Sequence, residues 1–203
     1  MSLFKELYQF SEGKVELRAL PSRRQAYFEI VDQAGIDEFC QQHKHEDCYF
    51  GVATRDGAGG KKENIVHFPA LWADVDFKNT PREIAWDLLK KFPFKPSAIV
   101  KSGGGAHVYF FLKEPAEKNE WRRIEDANKR IAYALSADTG ATDAARILRV
   151  PGTLNHKYDP PRRVVVSTTE KFSYTIEAFL EILPPVEDAR RPTTRRSGTL
   201  MVG

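Results

Sequence analysis

The stretch Leu71-Trp72-Ala73-Asp74-Val75-Asp76-Phe77 constrains this 203-residue chain more than any other. Its β-branched and aromatic residues, closed by the polar run Lys78-Asn79-Thr80, predict a strand. Side chains two apart on a strand share a face, so Asp74 and Asp76 stand side by side while Val75 and Phe77 point the other way. Adjacent carboxylates repel unless one is protonated or a cation lies between them. Oxygen donors at that separation suit Mg2+ or Mn2+, ions matched in turn to triphosphate substrates. The competing reading is a solvated strand end with two ordinary acids, so the decision rests on what other segments bring to the pair.

Two segments carry suitable partners. Strand 97–101 runs into Ser102-Gly103-Gly104-Gly105, and Ala106-His107-Val108-Tyr109-Phe110-Phe111-Leu112 leaves it, a pattern that predicts a β-hairpin with glycines at the turn. Exposed backbone N–H groups in such a turn form an anion-binding concavity, and His107 beside it could donate to a phosphate oxygen. A lone strand histidine is otherwise a packing residue. The other segment runs from Asp138 to Lys157 and places Arg146 and Arg149 in an extended stretch that turns at Pro151-Gly152. Half-buried arginines need an anion, here a phosphate or, alternatively, Asp138 or Asp143 in a structural salt bridge.

Around these segments the pattern is mixed. Residues 3–10 predict a short amphipathic helix, 15–20 and 26–31 strands, 36–42 one or two helical turns and 49–54 another strand. The Gly- and Lys-rich stretch 55–62 lacks the Gly-Lys-Ser/Thr ending of a P-loop and predicts a flexible loop. Thr80-Pro81-Arg82-Glu83 has the order of a capping box, with Ile84, Leu88 and Leu89 on one apolar face and Pro93 and Pro96 as stops. Helical periodicity runs from Pro115 to Ala137, a late strand covers 164–166, and Ile176, Phe179 and Leu180 mark a last helix. Antiparallel strands with intervening helices make the class α+β.

Asp-x-Asp on a strand, a Gly turn leading to His, and Asp followed by Arg-x-x-Arg-x-Pro-Gly-Thr-x-Asn together resemble the archaeo-eukaryotic primase (AEP) superfamily. The nearest likeness is to primase-polymerase domains of plasmid, phage and CRISPR-associated replication proteins, over roughly residues 49–157. The resemblance implies an RRM-like antiparallel-sheet catalytic core packed against an N-terminal α/β subdomain. On that basis residues 1–185 form one catalytic domain, about 1–70 and about 71–185 being its two parts, and 186–203 an Arg/Thr-rich linker or disordered tail. It implies that Asp74, Asp76 and Asp138 are catalytic ligands of two divalent ions, with Asp143 competing for the third place. It further implies that Ser102, His107, Arg146, Arg149, Asn155 and Lys157 hold the nucleotide. The activity implied is DNA-templated synthesis and extension of primers from (d)NTPs on a single-stranded template. Relatives often carry a zinc-binding or helicase module; neither is present here, so this chain is expected to be a catalytic core from a longer replication or CRISPR-associated protein.

Other classes fit less of the chain. A formal net charge of +3 does not by itself announce nucleic acid, although arginine pairs at 162–163, 190–191 and 195–196 concentrate positive charge late. No apolar run spans a bilayer and the N-terminus lacks a signal-peptide core, so a cytoplasmic location without membrane contact is expected. Cys40 and Cys48 bracket His43 and His45 in a spacing that matches no common zinc pattern, and predict reduced thiols at a helix end. His43-Lys44-His45 has the spacing of a rolling-circle initiator but puts Lys at the hydrophobic position and leaves Asp74 and Asp76 idle. A non-catalytic single-stranded DNA-binding module would use Trp72 and Tyr109 as stacking platforms, and converging carboxylates would repel its ligand.

Overall fold

The computed structural model describes residues 3–189. In chain order its elements are α1 (Leu3–Leu7), β1 (Lys14–Leu20), β2 (Arg24–Glu29), α2 (Gln33–Gln42), β3 (Asp47–Gly51), β4 (His67–Asp76), α3 (Arg82–Lys91) and β5 (Ala98–Lys101). There follow β6 (Gly105–Glu117), α4 (Trp121–Ala134), β7 (Ile147–Arg149), β8 (Leu154–Asn155), β9 (Arg162–Arg163), β10 (Val165–Thr169), α5 (Ile176–Ile182) and α6 (Val186–Ala189). Two four-stranded antiparallel sheets result, one in the order β2-β1-β3-β7 and the other β10-β5-β6-β4; β8 and β9 form a separate two-stranded ladder. The first sheet takes its outer strand, β7, from the far end of the sequence, so the two halves of the chain are stitched together beside β3.

β4 is buried along most of its length, from Phe68 to Ala73, and pairs with β6 so that Asp74 faces His107 and Asp76 faces Gly105. Register shifts between Phe68 and Ala70, where Pro69 has no N–H to give to a ladder and β6 inserts extra residues. The other edge of β4 has no neighbouring strand. Its groups are met by a helix and a loop: Trp72 N–H donates to Asn128 Oδ1 at 3.0 Å, and Asp74 C=O accepts from Asp138 N–H at 2.8 Å. Asn128 reaches this edge because Ile124, Ala127, Asn128 and Ile131 share the buried face of α4.

Four expectations change. β6 continues through Glu117, pairing with His67, and α4 begins only at Trp121, because Leu112–Pro115 bulge from the ladder rather than starting a helix. At α3 the cap is Pro81, without a side-chain bond; Thr80 Oγ1 donates instead to Ser136 C=O at 2.6 Å, so the capping box does not form. Ile84 is 53% exposed, and Ala85 takes its place on the buried face with Leu88 and Leu89 beside it. The loop after β3 is anchored rather than free. Arg55 is completely buried, its Nε 3.0 Å from Glu16 Oε2 and its Nη1 donating to Ala53 C=O at 2.8 Å.

Of the tail expected over 186–203, α6 accounts for the beginning and residues 190–203 lie outside the described residues. Among the described residues no helix is long and apolar enough to cross a membrane. No three His, Cys, Asp or Glu side chains among them are gathered as metal ligands; His43 Nδ1 instead lies 2.7 Å from Glu46 Oε2.

Removing the carboxylate from a buried pair strands its partner's charge. Glu16→Ala should therefore cost about 3–5 kcal/mol of stability, read from the midpoint of urea unfolding, whereas Glu29→Ala, at an exposed pair with Lys14, should cost less than about 1 kcal/mol.

Candidate active site

Asp74, Asp76, Ser102, His107, Asp138, Arg146, Arg149, Asn155 and Lys157 all line one cavity of about 200 Å3. Three elements build it. The last residues of β4 supply Asp74 and Asp76 on one face, both half-buried. The Gly turn supplies close approach: a Cβ on Gly105 would lie 2.0 Å from Val75 O, so only glycine lets the hairpin lie against β4 at this point. Gly103 takes φ +85°, the left-handed conformation the tight turn requires. The third element, residues 138–149, is tied to β4 by the Asp138–Asp74 backbone bond and to β3 by the pairing of Tyr49 with Arg149.

His107 is 3% exposed, with Nε2 3.7 Å from Asp74 Oδ1 and Nδ1 buried without a partner. Burial pushes its pKa below the ordinary value; Asp74 opposes this and Arg149 adds to it. A neutral imidazole therefore lies beside the carboxylates near neutral pH.

The two arginines have different settings. Arg149, 8% exposed, forms a two-point ion pair with Asp47: Nη1 lies 2.5 Å from Oδ1 and Nη2 donates to Oδ2 at 3.0 Å. Its guanidinium also sits 4.9 Å from the centre of the Tyr49 ring. Arg146 pairs with Asp143 at 2.7 Å and also reaches Gly140 C=O. Asp143 is thus turned to Arg146 and does not line the cavity, while Asp138 does. The Asp138 carboxylate accepts from Gly140 N–H at 2.8 Å, and so borders Asp74 and Asp76 without converging with them on one point.

Asn155 is a clamp. Its Nδ2 donates to Ser102 C=O at 2.7 Å and its Oδ1 accepts from Lys157 N–H, holding the Gly turn against the chain that follows β7. Lys157 is exposed at the rim. Sequence reasoning missed Asp47, Tyr49 and Tyr158, which also border or hold the cavity. Nothing local marks Asp47: its partners, Arg149 and the N–H of His156, are more than 100 residues away in the chain.

A larger cavity of about 700 Å3 lies between α2 and residues 150–154, but among charged residues it gathers only Asp37, Lys44 and Arg163. The smaller cavity gathers Asp74, Asp76, His107, Asp138, Arg146, Arg149 and Lys157. Asp74 and Asp76 together present an oxygen-only donor set suited to a hard divalent cation. Trp72 and Tyr109 are both fully buried, Trp72 Nε1 donating to Ala141 C=O at 2.9 Å, so neither is available to stack on a base.

Comparison with solved structures decides the fold. The AEP domain of the cyanophage S-2L primase-polymerase superposes with a TM-score of 0.65 at 16% identity, over 90% of this chain and 95% of that one. The catalytic domain of primase RepB′, in complex with initiator DNA, superposes with a TM-score of 0.59 at 12% identity, over 89% of each chain. The chain has the AEP primase-polymerase fold. Among curated sequences, a replication protein of Clostridium perfringens is 28% identical over 182 residues, covering 78% of this chain and 44% of that protein. The chain thus spans less than half the length of that relative. No protein-family model matches it.

Asp47 yields a pH test of the Arg149 setting. Burial raises its pKa, but bonds from Arg149 and His156 N–H outweigh this and hold the carboxyl below the usual range. A depressed native pKa adds stability above the unfolded value, near about 3.9, and that stability is lost as pH falls through the native pKa. Wild type should exceed Asp47→Asn in stability by a constant margin above about pH 5 and by a shrinking one below about pH 4, measured by thermal unfolding across that range.

Proposed function

We propose that this chain is a DNA-templated nucleotidyltransferase, a primase and polymerase that synthesises primers de novo on single-stranded DNA and extends them from (d)NTPs. One observation carries the reading: residues 74–76, 102–107 and 138–149, far apart in sequence, meet at one cavity lined by the carboxylates of Asp74, Asp76 and Asp138 together with Arg146 and Arg149. That layout suits a substrate combining a polyphosphate with divalent cations, on a fold shared with primase catalytic domains. Trp72 and Tyr109, the stacking residues expected of a purely DNA-binding module, are both fully buried.

Asp74 and Asp76, with Asp138 as third carboxylate, would hold two Mg2+ or Mn2+ ions, which when bound neutralise phosphate charge and acidify the attacking 3′-hydroxyl. The remaining work falls to the chain's own groups. Arg149 presents a guanidinium fixed by Asp47 and Tyr49, so little orientational freedom is lost when a phosphate arrives. Arg146, tethered to Asp143, adds a second cation on the same side. Neutral His107 donates one N–H to a phosphate oxygen without repelling the cations at Asp74. The Gly turn, locked by Asn155, keeps Ser102 and its backbone beside the same oxygens. Helicase or CRISPR-associated modules in a longer parent protein belong to the same proposal.

The test is primer synthesis on a single-stranded DNA template with labelled nucleotides and Mg2+ or Mn2+. Wild type should make products that vanish with a chelator, and Asp74→Ala/Asp76→Ala should lose activity by about 100-fold or more. Arg149→Ala should raise the nucleotide KM by about tenfold or more. Products surviving the double substitution would refute the site; template binding without synthesis would refute the activity.

A further inference from the structure

The loop from Asp138 to Arg149 carries one carboxylate and both arginines of the cavity, yet only its last three residues, 147–149, belong to a strand. Its path is set from outside. Trp72 Nε1 donates to Ala141 C=O at 2.9 Å, Arg55 Nη2 to Ala145 C=O at 3.2 Å and Val52 N–H to Arg146 C=O at 3.2 Å. Amid these anchors Ala144, fully buried, donates its N–H to Glu125 Oε1 at 2.8 Å.

Glu125 stands one turn before Asn128 on α4, so the helix that satisfies the edge of β4 through Asn128 satisfies this loop through Glu125. Its carboxylate is mostly buried and pairs with Lys62, whose ammonium also lies 4.4 Å from the centre of the Trp121 ring. The Gly- and Lys-rich stretch 55–62 lines no part of the cavity. Its first and last residues nevertheless reach the loop's anchors, Arg55 at Ala145 and Lys62 at Glu125.

The anchors differ in kind. Trp72 and Arg55 are completely buried, and removing either would open a large void or strand the charge of Glu16. Glu125 does not line the cavity, and what it gives the loop is one acceptor for a buried N–H. Deprived of that acceptor, the N–H must turn to find another partner, because a buried donor left unpaired is costly. Arg146 follows two residues later and is tied within the same loop to Asp143 and Gly140, so it goes where the loop goes.

We infer that Glu125 is a positioning residue of the active site: by fixing Ala144 N–H it sets where Arg146 stands against Asp74, Asp76 and Asp138, and hence how tightly the nucleotide's triphosphate is held. The inference rests on the nucleotidyltransferase reading and adds to it a residue that touches neither triphosphate nor metal.

The experiment is calorimetric titration with a non-hydrolysable nucleoside triphosphate and Mg2+, run beside primer extension, on wild type, Glu125→Gln and Glu125→Met. Both variants lose the charge and the ion pair with Lys62, and both side chains are good helix formers of similar length. Only the amide keeps an oxygen for Ala144 N–H. Glu125→Gln should bind within about twofold of wild type, and Glu125→Met about tenfold more weakly, with its nucleotide KM raised in the same proportion. Misfolded chains would lower the number of sites per chain, not the dissociation constant. Equal binding by all three proteins, an equal loss in both variants, or a Glu125→Met chain that does not fold would each overturn the inference. If triphosphate affinity follows residue 125 in this way but wild type polymerises nothing, the positioning stands and the catalytic reading falls. If wild type polymerises and Glu125→Met matches it, the reading stands and the positioning falls.

Discussion

The open edge of β4 is the constraint on which the site depends. A strand edge inside a folded chain must satisfy its N–H and C=O groups, and here no strand is available to do so. α4 meets the requirement at Trp72 through Asn128, and the loop after it meets the requirement at Asp74 through the N–H of Asp138. Covering the edge therefore brings a third carboxylate beside the two that strand alternation already pairs. The opposite edge of β4 pairs with β6 and brings His107 across from Asp74. One strand, bordered differently on its two sides, gathers most of the acidic wall.

The basic wall comes from the other sheet. β7 pairs with β3, so Arg149 stands next to Tyr49 and within reach of Asp47, while Arg146 enters just before the strand and is caught by Asp143. Each guanidinium is thus compensated when no anion is present, which lowers the cost of burying it. A polyphosphate entering the cavity meets cations already oriented rather than ones that must be ordered. An incoming phosphate must share Arg149 with Asp47, which engages both of its terminal nitrogens, and Arg146 with Asp143.

Much of this was legible from the residues. The Asp-x-Asp strand and the Gly turn are local patterns, period-two alternation and punctuation by glycine, and the structure places both where those patterns put them. Errors arose where tertiary partners outbid a local rule. Thr80 looks like a cap but bonds Ser136, and Ile84 looks like a core residue but α3 packs with Ala85 inward and leaves Ile84 exposed. Pro115 looks like a helix start but lies in a bulge of β6. The Asp47–Arg149 pair and the Asn155 clamp were illegible because both link segments about 50 to 100 residues apart with no periodic signature. Composition could not show that Arg55 is buried, since only the fold supplies Glu16 to it.

The most direct measurement of the central claim is a crystal soaked with Mn2+ and a non-hydrolysable nucleoside triphosphate, with anomalous scattering locating the metal. An anomalous peak at direct coordination distance from Asp74 and Asp76, roughly 2.0–2.2 Å, with the triphosphate against Arg149, is the predicted result. Nucleotide seated in the cavity of about 700 Å3 beside α2, with no peak at the two aspartates, would contradict it.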